Sequence, residues 1–335
     1  MVWPSLDLKA QDRDYFLQLQ ITNQNGLPQN TVRDIAFSTS GYLWLATEDG
    51  IARYDGKNTF VYNSQNAPIP SNRICQIIQT TDGHLYGVTD EDDLLEIIEK
   101  PPFVSISFKG KLPDKGFLKY HLFQSKNIEE FIRIYNRVNS DFTNHSNQLV
   151  MIALQNKSIY VEKNKNGLRL LSPNSENPTT IPIPDCISKR FFTIHDSLFF
   201  MGPDRHFHHV NLQNGKITDI KKTGQHKSNL NTSTLNSNDG RIIWNEKTAS
   251  AFLIEQNSLY EIKREGSNIA LNKLIDQLPA FAISEVSFSP DKEQLIIGTL
   301  SNGFYLYRKS WFETIHSPFS NNIFYAQIGT RQNTI

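Results

Sequence analysis

Five polar residues hold the chemistry most readily turned toward a ligand: Asn30, Thr31, Arg33, Asn72 and Arg73. Two guanidinium forks suit carboxylates or sulfates, and amides and hydroxyls suit sugar hydroxyls, so the set fits an acidic sugar. The run Arg205-His206-Phe207-His208-His209 places His206 and His208 on one strand face, a spacing compatible with a metal. No third ligand accompanies them, and alternation with Phe207 turned inward explains the run equally well. Asp90-Glu91-Asp92-Asp93 offers hard oxygen ligands but lacks the glycine and spacing of a calcium loop, so a solvated turn is expected. Trp44, Tyr54 and Tyr86 could stack on sugar rings; their recurrence at equivalent positions points instead to packing. The sequence contains no HExxH, GxSxG, GxGxxG or Walker-type motif. No residue is therefore assigned to catalysis or to a metal, and no cofactor is expected.

The elements that must position these residues follow from composition and repeats. The chain has 335 residues with 34 Lys+Arg against 34 Asp+Glu. At roughly 100–200 residues per domain, this length suits two ordinary domains or one large all-β ring. Balanced charge argues against a nucleic-acid partner. Apolar pieces such as Leu278–Ile283 fall far short of the roughly 18 residues of a spanning helix, so no membrane segment is expected. The start, MVWPSLDLKAQDRDYF, lacks the features of a signal peptide, as expected for a cytoplasmic protein or a mature or trimmed segment. Cys75 and Cys186 are lone residues, neither a disulfide framework nor a zinc site, and their redox state stays open.

Residues 26–62 and 68–106 superimpose at an offset of 42, which places Gly83 on Gly41, Leu85 on Leu43, Tyr86 on Trp44 and Thr89 on Thr47. A third copy runs from Leu295 to Tyr307. Each is a string of short β-branched and aromatic segments separated by Ser-Gly or Asp-Gly turns. Four strands per copy of about 40 residues indicate a propeller blade. Degenerate hairpins continue in Leu149–Val161, Leu198–Val210 and Phe252–Ile262, with insertions inferred at 109–145 and 222–238, the latter expected as a mobile loop. Asn322–Ile328 resembles the first strand of a further blade, and Tyr15–Ile21 an outermost strand. The fold class expected is all-β: a β-propeller of about seven four-stranded blades, the last incomplete and shared between the chain ends. The expected divisions are a lead-in at 1–14, the propeller at 15–320, and at 321–335 the start of a further or closing blade, cut short.

Gly26 to Tyr62 resembles the two-component regulator propeller repeat. The matching residues are Gly26-Leu27-Pro28, Val32, Gly41, Leu43-Trp44, Thr47, Asp49-Gly50, Tyr54-Asp55-Gly56 and Phe60. The second copy departs at Tyr86 and at Asp92. The resemblance implies a periplasmic sensor region of a bacterial hybrid two-component histidine kinase, with an oligosaccharide ligand and a homodimer in the full receptor. On that reading the chain is a non-catalytic recognition module. Two alternatives stand beside it: a propeller enzyme acting on glycans, and a scaffold for a protein partner.

Overall fold

The computed structural model describes residues 15–100, 103–112, 121–122, 125–133, 151–154, 159–164, 167–171, 179–182, 191–194, 197–202, 205–224, 240–245, 247–279 and 282–309. These form six sheets, numbered here as blades 1 to 6. Blade 1 is a meander of Val32–Phe37, Leu43–Thr47, Gly50–Tyr54 and Thr59–Tyr62. Blade 2 repeats it with Ile74–Gln79, Leu85–Thr89, Asp93–Lys100 and Phe103–Lys111. Blade 3 spans residues 121–181 in five strands, and blade 4 runs from Phe191 to Ile220 in four. Blade 5 comprises Arg241–Asn245, Ser250–Glu255, Ser258–Glu265 and Asn268–Ile275, with Lys222–Gly224 added in parallel at its outer edge. Blade 6 takes three strands from Ile283–Phe288, Gln294–Thr299 and Phe304–Lys309, and its fourth from Tyr15–Ile21.

The expected all-β propeller is therefore what the structure shows. The sharing of one blade between the two ends, expected for a seventh, occurs in the sixth among the described residues. Blades 6 and 1 are direct neighbours: Ile296, Phe304 and Leu306 share one core with Val32, Ile35, Leu43 and Leu45. Among the described residues no sheet separates them, and the strand Tyr15–Ile21 covers what would otherwise be an open edge. The strand resemblance at Asn322–Ile328, like Cys186, lies outside the described residues. Of the expected loop at 222–238, residues 222–224 are a strand instead, because their backbone finds an uncovered partner in Asn268–Ile275.

Stability resides in layers between blades rather than in one central core. Blades 1 and 2 share Trp44, Ala46, Ile51, Ile74, Ile77, Leu85, Leu95 and Ile97. Blades 5 and 6 join through Phe252, Leu259, Phe288, Leu295 and Tyr305, and Tyr15 closes over the same layer. Blades 3 to 5 join through Leu168, Phe191, Phe192, Phe199, Phe200, Phe207 and Trp244. Strands buried on both faces explain why segments such as Leu43–Thr47 are apolar without alternation.

Local signals set each turn. The Thr47 hydroxyl donates to the Gly50 carbonyl at 2.7 Å and accepts from the Asp49 amide at 3.2 Å. Thr299 ties the corresponding hairpin of blade 6 in the same way, donating to the Gly303 carbonyl and accepting from the Asn302 amide, whereas the Thr89 hydroxyl in blade 2 donates to the Asp93 carboxylate and accepts from the Glu91 and Asp93 amides. Gly50, at φ 114°, lies where a Cβ would come within 2.4 Å of the Tyr62 carbonyl. Gly303 meets the Ile21 carbonyl similarly, which marks Tyr15–Ile21 as the structural equivalent of Thr59–Tyr62.

Candidate functional site

The five residues singled out for a ligand lie at the start of the first strands of blades 1 and 2. Asn30 and Asn72 are equivalent linker residues. The Asn23 amide donates to Asn30 Oδ1 at 2.7 Å, and the Ser64 amide to Asn72 Oδ1 at 2.8 Å. Their carbonyls accept from Gly303 and Gly50, so each linker joins one blade to the hairpin of the blade before it. The Thr31 hydroxyl donates to the Leu300 carbonyl at 2.8 Å.

The two arginines belong to a charge chain along the seam of blades 1 and 2. Arg33 donates to Glu48, and Arg73 lies 3.8 Å from Glu48 and 3.4 Å from Asp90. The Arg33 guanidinium hydrogen bond holds the Glu48 carboxyl below the usual range. Two carboxylates thus balance two guanidinium groups in formal charge. Arg33 sits at a β-bulge equivalent to Cys75 and Ser284, where one extra residue enters each inner strand. Its Nη1 lies 3.9 Å from Cys75 Sγ.

A different seam surface carries a groove of about 360 Å³. Ser38, Thr39 and Ser40 line it from the first turn of blade 1; Asp82, Gly83, His84 and Leu85 from the equivalent turn of blade 2. Glu96 to Lys100, on the third strand of blade 2, complete it. The Trp44 indole donates to Glu99 Oε1 at 2.5 Å, and Lys109 lies 3.0 Å from Glu96 Oε2. Burial, with Glu96, Asp82 and Glu129 nearby, pushes the Tyr86 phenol up to about 12. No single stretch of sequence announces this groove, because its walls come from segments brought together only by packing of two blades.

At the ring axis lies a second feature missed in the sequence. Lys247 Nζ donates to Asp34 Oδ1 at 2.8 Å, with side chains only 4% and 8% exposed. Asp34 also accepts from the amides of Ile35 and Ile77 at 2.7 Å each. Asn245 donates to Glu285 Oε1 at 2.9 Å. Blade 5 is thereby joined to blades 1 and 2 across blade 6.

The remaining candidates take structural positions. Trp44 is fully buried, and Tyr54 and Tyr86 are buried, so packing claims the rings considered for stacking. Phe207 is buried, His208 stacks on Phe200 at 4.7 Å and lies 2.9 Å from Asp219, and His206 is exposed. Among the described residues no three His, Cys, Asp or Glu side chains are grouped to hold a metal. Within the acidic run, Asp92 takes φ 62°, Asp93 accepts from Thr89, and Asp90 accepts from Ser71 at 2.8 Å. No helix among the described residues is long and apolar enough to cross a membrane.

No protein-family model and no curated protein matches the sequence. Solved structures do resemble the chain. A virginiamycin B lyase from Staphylococcus aureus with quinupristin gives a TM-score of 0.55 at 13% identity, covering 88% of this chain and 99% of that one. The WD40 β-propeller domain of Doa1 gives 0.52 at 12%, covering 89% and 98%. The extracellular domain of the putative hybrid two-component system BT4673 from B. thetaiotaomicron gives 0.51 at 13%. Its alignment covers 94% of this chain but 47% of that one, so this chain spans about half of that domain. At such identities the likeness shows the propeller fold alone.

Proposed function

We propose that the chain is the ligand-recognition propeller of an extracytoplasmic two-component sensor, responding to an oligosaccharide and acting without catalysis. The observation that carries this reading is the resemblance of Gly26–Tyr62 to the two-component regulator propeller repeat. Within that copy, Trp44, Thr47, Gly50 and Tyr54 serve packing and turns, as repeat residues of a recognition scaffold should. A periplasmic location and a homodimeric receptor accompany the same reading. The signal arises because ligand favours one arrangement of the receptor over another.

Thermal unfolding against neutral, amino, acidic and sulfated oligosaccharides tests it. A ligand at 100 times its dissociation constant adds about 2.7 kcal/mol, which raises the midpoint measurably. A selective rise without turnover supports recognition, and a flat panel over a cooperative transition counts against it. The competing reading is an enzyme, favoured by the likeness to a lyase propeller over that protein's full length. It requires product formation from a glycan in the same panel.

A further inference from the structure

We propose that the groove between blades 1 and 2 is a saccharide site selective for neutral or amino sugars; this rests on the recognition reading above. Its volume of about 360 Å³ lies at the small end of the range for ligand sites, ~300–1,000 Å³. Leu85 and Ile97, both buried, and the half-buried Ile98 give it an apolar floor. Thr39 and Ser40, exposed at the blade 1 turn, together with Asp82, His84, Glu96 and Glu99, complete the lining around that floor. An apolar base ringed by short hydroxyls and carboxylates matches a pyranose, which presents one apolar face and a rim of hydroxyl donors.

Charge sets the selectivity. Three carboxylates, Asp82, Glu96 and Glu99, line the groove with one ammonium, Lys100, and even with Lys109 paired to Glu96 from outside it the formal balance stays negative. Glu99 accepts one hydrogen bond from Trp44, and Glu96 pairs with Lys109 outside the groove. A carboxylate offers about four lone-pair sites, so each retains acceptor capacity for a sugar hydroxyl or ammonium. A uronic or sulfated sugar would bring a further anion into that negative lining and lose affinity. Arg33 and Arg73 do not compensate, since Glu48 and Asp90 already balance them in formal charge.

The test uses the whole chain and four probes: cellobiose, a glucosamine disaccharide, digalacturonate and a heparin disaccharide, each titrated by calorimetry and thermal shift. Binding of cellobiose or the glucosamine disaccharide, with the two acidic probes inert, is expected. Ser40→Trp and His84→Trp each fill the groove from an exposed position and should weaken binding about tenfold or more, while Arg73→Ala leaves it within about twofold. Unchanged melting of the unliganded variants shows that the fold is intact. If binding survives both tryptophans and is lost in Arg73→Ala, the arginine cluster is the site: the groove proposal falls and the recognition reading stands. Preference for the acidic probes likewise overturns the groove. If none of the four probes binds to the folded protein, both fall.

Discussion

Blades 1 and 2 differ instructively from blades 4 and 5. In the first pair the same residues recur in the same jobs: Gly41 and Gly83 close the first turn, Thr47 and Thr89 tie the second, and Asn72 repeats Asn30 in the linker. Blade 4 reaches comparable geometry with other residues. Its second hairpin closes with Gly202 donating to the His206 carbonyl at 2.9 Å, and Arg205 supplies the positive φ of 64°. Blade 5 uses a two-residue turn, Gln256-Asn257, with φ of 49° and 62°. Its neighbour replaces the Trp44 layer by Phe191, Phe192, Phe199, Phe200 and Phe207. The blade is thus a backbone geometry that several residue sets satisfy, and the repeat pattern is one of them.

That comparison breaks most visibly in the cores. Trp44→Ala and Phe207→Ala, each removing a fully buried ring, should both cost about 3–5 kcal/mol in denaturant unfolding. A cost near zero for Phe207 would mean that the degenerate blades are not held by an equivalent layer. Next comes the axial pair, which joins a degenerate blade to two regular ones. Lys247→Ala leaves Asp34 buried without its cation and should cost about 3–5 kcal/mol. In a double-mutant cycle with Asp34→Asn the two losses should fall well short of additive. Full additivity would mean that the ion pair does not couple the blades.

Turn chemistry gives a smaller effect. Gly41→Ala meets no atom within 4 Å, so its cost reports backbone strain alone, about 1–2 kcal/mol. Lys292 holds the corresponding turn of blade 6 at φ 57°, and Lys292→Gly should stabilise by less than about 1 kcal/mol. Destabilisation by Lys292→Gly would show that the turn depends on the lysine side chain rather than on its backbone.

The smallest effect is that of pH. Glu48, Asp82 and Asp291 have carboxyl pKa values lowered chiefly by hydrogen bonds from Arg33, Thr80 and Ser289 respectively. A depressed folded pKa adds stability that is complete above the unfolded value, and it is lost as pH falls through the folded one. His209 is likewise lowered below its ordinary 6.5, by burial and then by Arg264. Its contribution is complete above about 6.5 and erodes below that. The melting midpoint should therefore hold above neutrality, slip slightly below about pH 6.5 and fall further below about pH 4. His209→Phe should remove the upper step only, and persistence of that step would assign it elsewhere.

Legibility followed the range of each interaction. Thr47, Gly41 and Gly50 act within a few residues of themselves, so spacing alone announces their turns. Trp44, Tyr54 and Tyr86 were readable as core because equivalent positions in a repeat face equivalent neighbours. Asn30 and Asn72 fit either role in the sequence, since a polar residue at a linker looks the same whether it binds a sugar or a backbone amide. Only coordinates reveal that Oδ1 of each is occupied by the Asn23 or Ser64 amide.

Local backbone preference and repeated apolar patterning made the strand-and-turn grammar, the offset of 42 residues and the packing role of the repeated aromatic rings legible before any tertiary contact. Long-range packing sets the rest: Tyr15–Ile21 completes the blade beginning at Ile283, Lys247 meets Asp34 across 213 residues, and two turns and a strand enclose a groove. Any uncovered edge strand can accept any extended segment. Which segment arrives depends on where ring closure brings the chain, a global condition that no local spacing encodes.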